Sequence, residues 1–279
     1  NKIGEIDNKS KAEGLTIKVV DTICGGGKTT AAINMINAAP NNQKFLFITP
    51  YLQQVDRIIK ECPEKHFQQP DTKKGTKLRT ILSLFNRGAN IASTHSLFLQ
   101  FNEQIMELVR IQKYTLILDE VVEVVKEMDD IKGNDLNYLL KHTIVEDDGI
   151  VRWNHEIEYD GVWLEKYRNY IDLGALYYYK DTALLYLFPV KCFTVFKDVY
   201  ILTYMFDAQI QRCYYDYNGI KYEYMHVEGE RLSDLHFVNG KAITDGREKV
   251  VNRISIVEDK NLNDIGDRET ALSVSWYDR

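Results

Sequence analysis

Two groups of residues in this 279-residue chain have the types and spacing to do chemistry. The first is Thr22-Ile23-Cys24-Gly25-Gly26-Gly27-Lys28-Thr29-Thr30, and the second is Asp119-Glu120, about ninety residues later. Glycines let backbone N–H groups turn inward toward an anion, and a following helix adds the partial positive charge of its N-terminus. A lysine adds a full charge, and a threonine hydroxyl can ligate Mg²⁺. Gly25, Gly26, Gly27, Lys28, Thr29 and Thr30 therefore read as a cradle for a phosphate chain. Asp119-Glu120 closes the apolar run Tyr114–Leu118. An aspartate at the carboxyl end of a buried strand can hold Mg²⁺, directly or through water, and a glutamate beside it can orient and polarise the water that attacks a γ-phosphate. The blander alternative for the acidic pair is a strand end leading into a solvated helix, since Glu123, Glu127, Asp129 and Asp130 follow.

These groups need elements to hold them. Leu15–Val20 is a short apolar run and Ala31–Asn37 has helical spacing, so the glycine loop lies between a strand and a helix. Lys44–Pro50 reads as a buried strand ended by proline, and Tyr51–Glu61 carries Leu52, Val55, Ile58 and Ile59 at helical spacing. The opening β-α-β-α pattern predicts a parallel sheet with helical crossovers. Residues 65–90 hold six Lys and Arg against one Asp, which suits a solvated surface loop and a nucleic-acid contact about equally. Asn90–Thr94 is the next predicted strand, followed by one helix from His95 to about Val109. Beyond Glu120, Lys132–His142 reads as a short helix. Gly149–Trp153 and Glu156–Tyr159, with a turn at Asp160-Gly161, read as a small β-rich segment. Trp163–Tyr179 reads as an aromatic helix that Thr182–Val190 continues. Tyr200–Phe206 and Ile220–Val227 read as strands around a helix at Ala208–Tyr217, and 253–257 as a last strand.

The bulk numbers bound the class. Apolar content is 44%, enough for a sizeable core, and a net charge of −6 confines any nucleic-acid contact to a local patch. The stock of 18 Tyr and 11 Phe is mostly core and half-buried strand material. Cys24, Cys62, Cys192 and Cys213 form no C-x-x-C pair, so neither a metal site nor a disulfide framework is expected, and a reducing cytoplasm fits. No run has transmembrane length and no signal peptide opens the chain, so no membrane partner is expected. The six histidines are scattered without metal spacing, and His95 reads as structural.

In Thr22–Thr29 the first position of the usual phosphate loop, a glycine, is Thr22. That variant resembles motif I of superfamily 2 helicases and translocases of the DEAD/DEAH, or DExx-box, type. Phe47-Ile48-Thr49-Pro50 resembles motif Ia of the same family, Ile91–His95 motif Ib, Asp119-Glu120-Val121-Val122 the DExx box of motif II, and Tyr200–Phe206 motif III. The resemblance covers roughly residues 15–210 and suggests a divergent member of phage or mobile-element type. It implies an α/β P-loop NTPase fold: a RecA-like, mostly parallel sheet flanked by helices, with an α+β insertion of about 131–190 between motifs II and III. The chain then divides into a flexible N-terminus (1–14), a RecA-like ATP-binding domain (15–260), and a linker with the start of a truncated second domain (261–279).

The roles implied by the resemblance are specific. ATP and Mg²⁺ are the cofactors. Lys28 contacts the β- and γ-phosphates within the backbone cradle of Gly25–Thr30, Thr29 and Asp119 hold Mg²⁺, and Glu120 activates water. Thr49, Pro50 and Thr94 grip the phosphates of a nucleic acid, DNA ahead of RNA and single-stranded or duplex, while Thr203 couples the two sites. Superfamily 2 motors complete the ATP site with an arginine from a second RecA-like domain, or from a partner protein in its place. No Q-x-x-G-R-x-x-R pattern occurs here, so nucleotide binding with slow or absent hydrolysis is expected from these residues alone. A second reading is a P-loop module that senses ATP and contacts another protein without motor activity. A third, a small-molecule kinase, lacks the arginine-rich lid it would need.

Overall fold

The computed structural model describes residues 15–70, 77–157, 167–180, 182–242, 251 and 253–255. The chain divides into two compact units, Asn1–Ala242 and Ile243–Arg279. The predicted segments 1–14 and 261–279 lie outside the described residues. In the second unit, Ile254 N–H donates to the Val251 carbonyl in a turn where a strand over 253–257 is predicted; Ile256 and Val257 lie outside the described residues.

In the first unit the order begins β1 (Thr16–Asp21), α1 (Lys28–Ala38), β2 (Phe45–Thr49), α2 (Leu52–Glu61), α3 (Lys77–Asn86), β3 (Ile91–Thr94), α4 (His95–Phe98), α5 (Glu103–Gln112) and β4 (Thr115–Asp119). An inserted region follows, with β5 (Val125–Glu127), α6 (Asn134–His142), β6 (Thr143–Val145), β7 (Val151–Trp153), α7 (Arg168–Asp172), β8 (Leu176–Tyr179), β9 (Ala183–Leu187) and α8 (Lys191–Thr194). The chain then returns through β10 (Asp198–Thr203), α9 (Ile210–Tyr217), β11 (Lys221–Glu228) and β12 (His236–Asn239).

β2 and β4 are buried at every position. Strands without a solvent face must be covered on both sides, the condition met by helical crossovers over a parallel sheet. The central sheet has seven strands in the order β12-β11-β1-β10-β4-β2-β3, and only the β11–β12 hairpin is antiparallel. This is a mixed α/β fold with a mostly parallel central sheet flanked by helices. The pleat sorts the core onto two faces. Leu116 and Leu118 of β4 join Phe85, Phe98, Phe101 and Tyr114 on one side, while Ile117 joins Ala32, Ile33, Ile36, Val55 and Ile58 of α1 and α2 on the other.

The register sets what comes next. Asp21 pairs with Thr203, Leu202 with Asp119, and Thr49 with Thr94. The carboxyl ends of β1, β10, β4, β2 and β3 therefore finish nearly level, in a row of short polar side chains.

The insertion departs most from the sequence expectation. Instead of an aromatic helix over 163–179 that continues to 190, the described residues form only the short helix α7 and then the β8–β9 hairpin, which pairs with β5 in a three-stranded sheet. Residues 163–166 lie outside the described residues. β9 alternates half-buried and buried positions, the period of a strand covered on one face. β7 pairs with β6 (Thr143–Val145); of the other predicted strand, 156–159, residues 158 and 159 lie outside the described residues. The turn is at Asp147–Gly149, where Gly149 takes a φ of 90° and the Asp148 carboxylate accepts the Ile150 N–H at 3.0 Å. The predicted turn at Asp160-Gly161 lies outside the described residues.

Two further corrections are local. The single helix expected over 95–109 is broken, because the Asn102 side chain accepts the Ile105 N–H at 3.0 Å and starts α5 afresh. The basic stretch 65–90 is not one loop. Its described part includes α3, and Lys65 is buried with its ammonium on the Ala39 carbonyl and the Asn41 side chain, so that charge serves the fold.

Phe98 contacts Phe101, Phe188, Phe193 and Phe196 and is fully buried where the insertion meets the sheet. Phe98→Ala is expected to cost about 3–5 kcal/mol in chemical denaturation. A loss below about 1 kcal/mol would mean that this ring cluster does not join the two parts.

Candidate functional site

The glycine loop leaves the end of β1 and is fixed twice at its entrance. Thr22 N–H donates to the Thr203 carbonyl at 3.1 Å, and its hydroxyl accepts the Val227 N–H at 3.1 Å. Thr22 thus ties the loop to both strands that flank β1. Gly25 and Gly27 take φ values of 77° and 81°, which side chains rarely tolerate. A Cβ on Gly26 would lie 2.6 Å from the Thr22 methyl carbon and 2.9 Å from the Ile23 carbonyl oxygen. Gly27 caps α1 without a side-chain hydrogen bond, so the first N–H groups of the helix stay open toward the loop.

Lys28 is only 8% exposed and folds back over the loop, its Nζ donating to the carbonyls of Thr22 at 2.7 Å and Ile23 at 3.3 Å. The next residue reaches across the sheet. Thr29 Oγ1 donates to Asp119 Oδ1 at 3.3 Å, and Thr49 Oγ1 donates to Asp119 Oδ2 at 3.2 Å. Asp119 is 8% exposed. Burial pushes its carboxyl above the usual aspartate range, against the two threonine hydroxyls and the charges of Lys28 and Arg57, which favour the ionised form. His95 Nε2 lies 3.0 Å from the Asp119 carbonyl oxygen; a carbonyl only accepts, so this nitrogen carries the proton. Burial pushes the His95 imidazole below its usual value, which keeps the ring neutral near pH 7. That is the structural role expected of it.

Glu120 follows at a φ of 67°, uncommon outside glycine and costing on the order of 1–3 kcal/mol. Its N–H is held by the Leu202 carbonyl at 2.9 Å. Glu120 is exposed at the rim, while Val122 and Val124 after it return to the core. Desolvation raises its pKa, Lys28 opposes that, and the Asp119 charge adds to the rise.

The structure thus brings together Gly25–Thr30, Thr49, Asp119 and Glu120. Thr203 lies on the adjacent strand end, fully buried, with its hydroxyl on the Gln209 side chain. Thr94 ends β3 in register with Thr49, and its hydroxyl pairs with Ser96 at 3.0 Å. Pro50 is half-buried at the turn into α2. Three participants escaped the sequence reading. Asp21 accepts the N–H groups of Met205 and Phe206 at 2.8 and 3.0 Å, and so shapes the turn after β10. It closes β1 as Asp119 closes β4, and that parallel was its available signal. Gln209 holds Thr203 and had none. Arg57 donates to Thr30 Oγ1 at 3.0 Å and to Glu61 at 3.0 Å, which places a half-buried cation beside the loop. Only its helical position was legible.

Among the described residues no cluster of three or more His, Cys, Asp or Glu could hold a metal ion. Paired oxygens such as those of Thr29 and Asp119 are the donor type that a hard divalent cation takes when other ligands come from phosphate and water. No helix among the described residues is long and apolar enough to cross a membrane.

Fold and site together define an α/β protein with a glycine loop, a helix N-terminus and an acidic strand end converging at the carboxyl edge of a mostly parallel sheet. The chain is 38% identical over 275 residues to the SPbeta prophage-derived uncharacterized protein YonV of Bacillus subtilis (strain 168), a match covering 94% of this chain and 67% of that protein. The chain belongs to the family of this prophage protein. No protein-family model matches it. No solved structure matches it either.

The raised pKa of Asp119 carries a stability consequence. An acid whose folded pKa exceeds its unfolded value binds more protons when folded, so stability falls as pH rises from about 3.9, the ordinary aspartate value, to the raised one. Asp119→Asn is therefore expected to be more stable than wild type at neutral pH, with the gap closing as pH falls through that window. Paired denaturation curves from pH 4 to 8 check it, and a gap that does not change with pH would refute it.

Proposed function

We propose that the chain is an ATP-binding, ATP-hydrolysing P-loop domain with a RecA-like fold, the motor domain of a superfamily 2 helicase or translocase acting on nucleic acid. The observation that carries this reading is the meeting of Lys28, Thr29 and Asp119 at one point, from two strands with a third between them. Chance placement of a glycine-rich turn would not set its threonine hydroxyl against the aspartate that closes a fully buried strand.

The residues fit the group that ATP hydrolysis needs. Asp119 and Thr29 offer two hard oxygens to Mg²⁺, which keeps water and phosphate as its other ligands and supplies charge neutralisation at the transferred phosphate. The backbone N–H groups of Gly25–Thr30 receive the phosphate oxygens. Lys28 exchanges its carbonyl partners in the loop for phosphate, gaining a charge-assisted contact. Glu120, at the rim and with a raised pKa, accepts a proton from water and orients it. Pro50 and Thr94, half-buried at adjacent strand ends, face a nucleic-acid backbone along the same edge, while Thr49, expected there too, is fully buried against Asp119 and holds that strand end, and Thr203 lies between that edge and the loop. An arginine from a second domain or partner protein completes the site.

A second reading, an ATP-sensing module that docks a protein, is favoured by one specific observation. Tyr51, Leu52, Met205 and Ile210 are exposed apolar residues on the segments that leave β2 and β10 at this edge. Such a surface suits a protein partner better than a phosphate backbone.

Calorimetric titration with Mg²⁺-ATP tests the shared core. Wild type binds, and Lys28→Ala weakens binding about 10–100-fold, the range for loss of a charged hydrogen bond. Glu120→Gln keeps binding and lowers any turnover about 10²–10⁴-fold. Equal affinity of wild type and Lys28→Ala would refute the phosphate cradle. Binding of single-stranded DNA or RNA that weakens steeply with salt selects the motor over the sensing module.

A further inference from the structure

We propose that the β11–β12 connection, residues 229–235, is the wall that receives the nucleobase and ribose of the bound nucleoside triphosphate. The proposal rests on the phosphate reading of the glycine loop and extends it to the other half of the ligand. Lys28, Thr29, Asp119 and Glu120 lie on the side of the loop facing β10 and β4, which fixes that side as the terminal-phosphate end. β1 has one other neighbour, β11, with β12 beyond it. The nucleoside must leave the loop on that side.

The chain there is shaped and anchored. It doubles back between Gly229 and Asp234, where the Asp234 carboxylate accepts the Arg231 N–H at 2.7 Å and a Cβ on Gly229 would meet the Asp234 carbonyl oxygen at 2.9 Å. The Asn34 amide of α1 donates to the carbonyls of Leu232 and Leu235 at 2.9 and 3.0 Å, which clamps the turn onto the helix that starts at Lys28. Leu235 reaches the loop itself, with its Cδ1 2.5 Å from where a Cβ on Gly27 would stand. The opposite end of the loop is held by the Val227–Thr22 bond from the same hairpin. The hairpin thus brackets the glycine loop at both ends. Leu232 is a 74% exposed apolar side chain on this turn, three residues before the Leu235 that reaches Gly27. A base lying over it would cover that surface.

The test compares Mg²⁺-ATP with Mg²⁺-tripolyphosphate, which has the phosphates and no nucleoside, in calorimetric titrations of the 279-residue chain. Leu232→Ala removes exposed apolar surface and leaves the fold intact, and Asn34→Ala releases the turn from α1; thermal melts verify both. Each variant is expected to lose about 5–10-fold in ATP affinity, the effect of part of a leucine's contact area, with tripolyphosphate affinity unchanged. If both ligands weaken equally, or neither does, the nucleoside wall is wrong and the phosphate reading stands. If wild type binds neither ligand, the phosphate reading fails and takes this proposal with it.

Discussion

The buried carboxylate of Asp119 is the constraint on which the site depends. It lies at 8% exposure, where ionisation is costly, and each of its oxygens is met by a threonine hydroxyl from a different element: α1 for Thr29 and β2 for Thr49. Those contacts exist only if β2, β4 and the start of α1 end at one level. The parallel register enforces that level, and the inward-facing residues of β1, β2, β4 and β10 hold it. A shift of one strand by a residue would turn its polar terminus to the other face and leave the carboxylate uncompensated. Sheet register and site chemistry are therefore one requirement.

The region between β4 and β10 is not a separate body. Leu139, Val151, Leu184, Tyr186 and Phe188 belong to the same apolar cluster as Ile17, Leu116 and Ile201. Its small antiparallel sheets thus share the core of one face of the central sheet. Phe98, which follows the strand ending in Thr94, is the joint.

The central strands and the polar row were legible because their signals are local. A fully apolar run ending in Asp-Glu, or a strand followed by three glycines and Lys-Thr-Thr, needs no partner to be recognised. The insertion was misread because Tyr-rich segments such as 176–187 satisfy helical and alternating patterns alike, and only pairing with β5 decides between them. The break at Asn102 was a missed cap. Arg57, Asp21 and Gln209 were invisible for another reason. Arg57 and Asp21 act on residues that the fold brings near, Thr30 and Met205, and no spacing in sequence reports such a meeting, while Gln209 acts on Thr203 six residues away with a side chain that fits any polar loop. Lys65 shows the reverse error, a charge counted as surface that the fold buries.

The two ties on Thr22 bear on the order of assembly. The loop entrance is fastened to Thr203 and, across a separation of 205 residues, to Val227. Nearly the whole first unit must therefore be synthesised before its opening element can settle. Closing so long a span costs chain entropy before any contact returns it, which favours slow folding with the cradle among the last parts to order. A nascent chain lacking β11 carries every residue of the glycine loop and lacks the Val227 tie at its entrance. The same dependence makes the loop report on the whole unit, since loosening the far hairpin releases it.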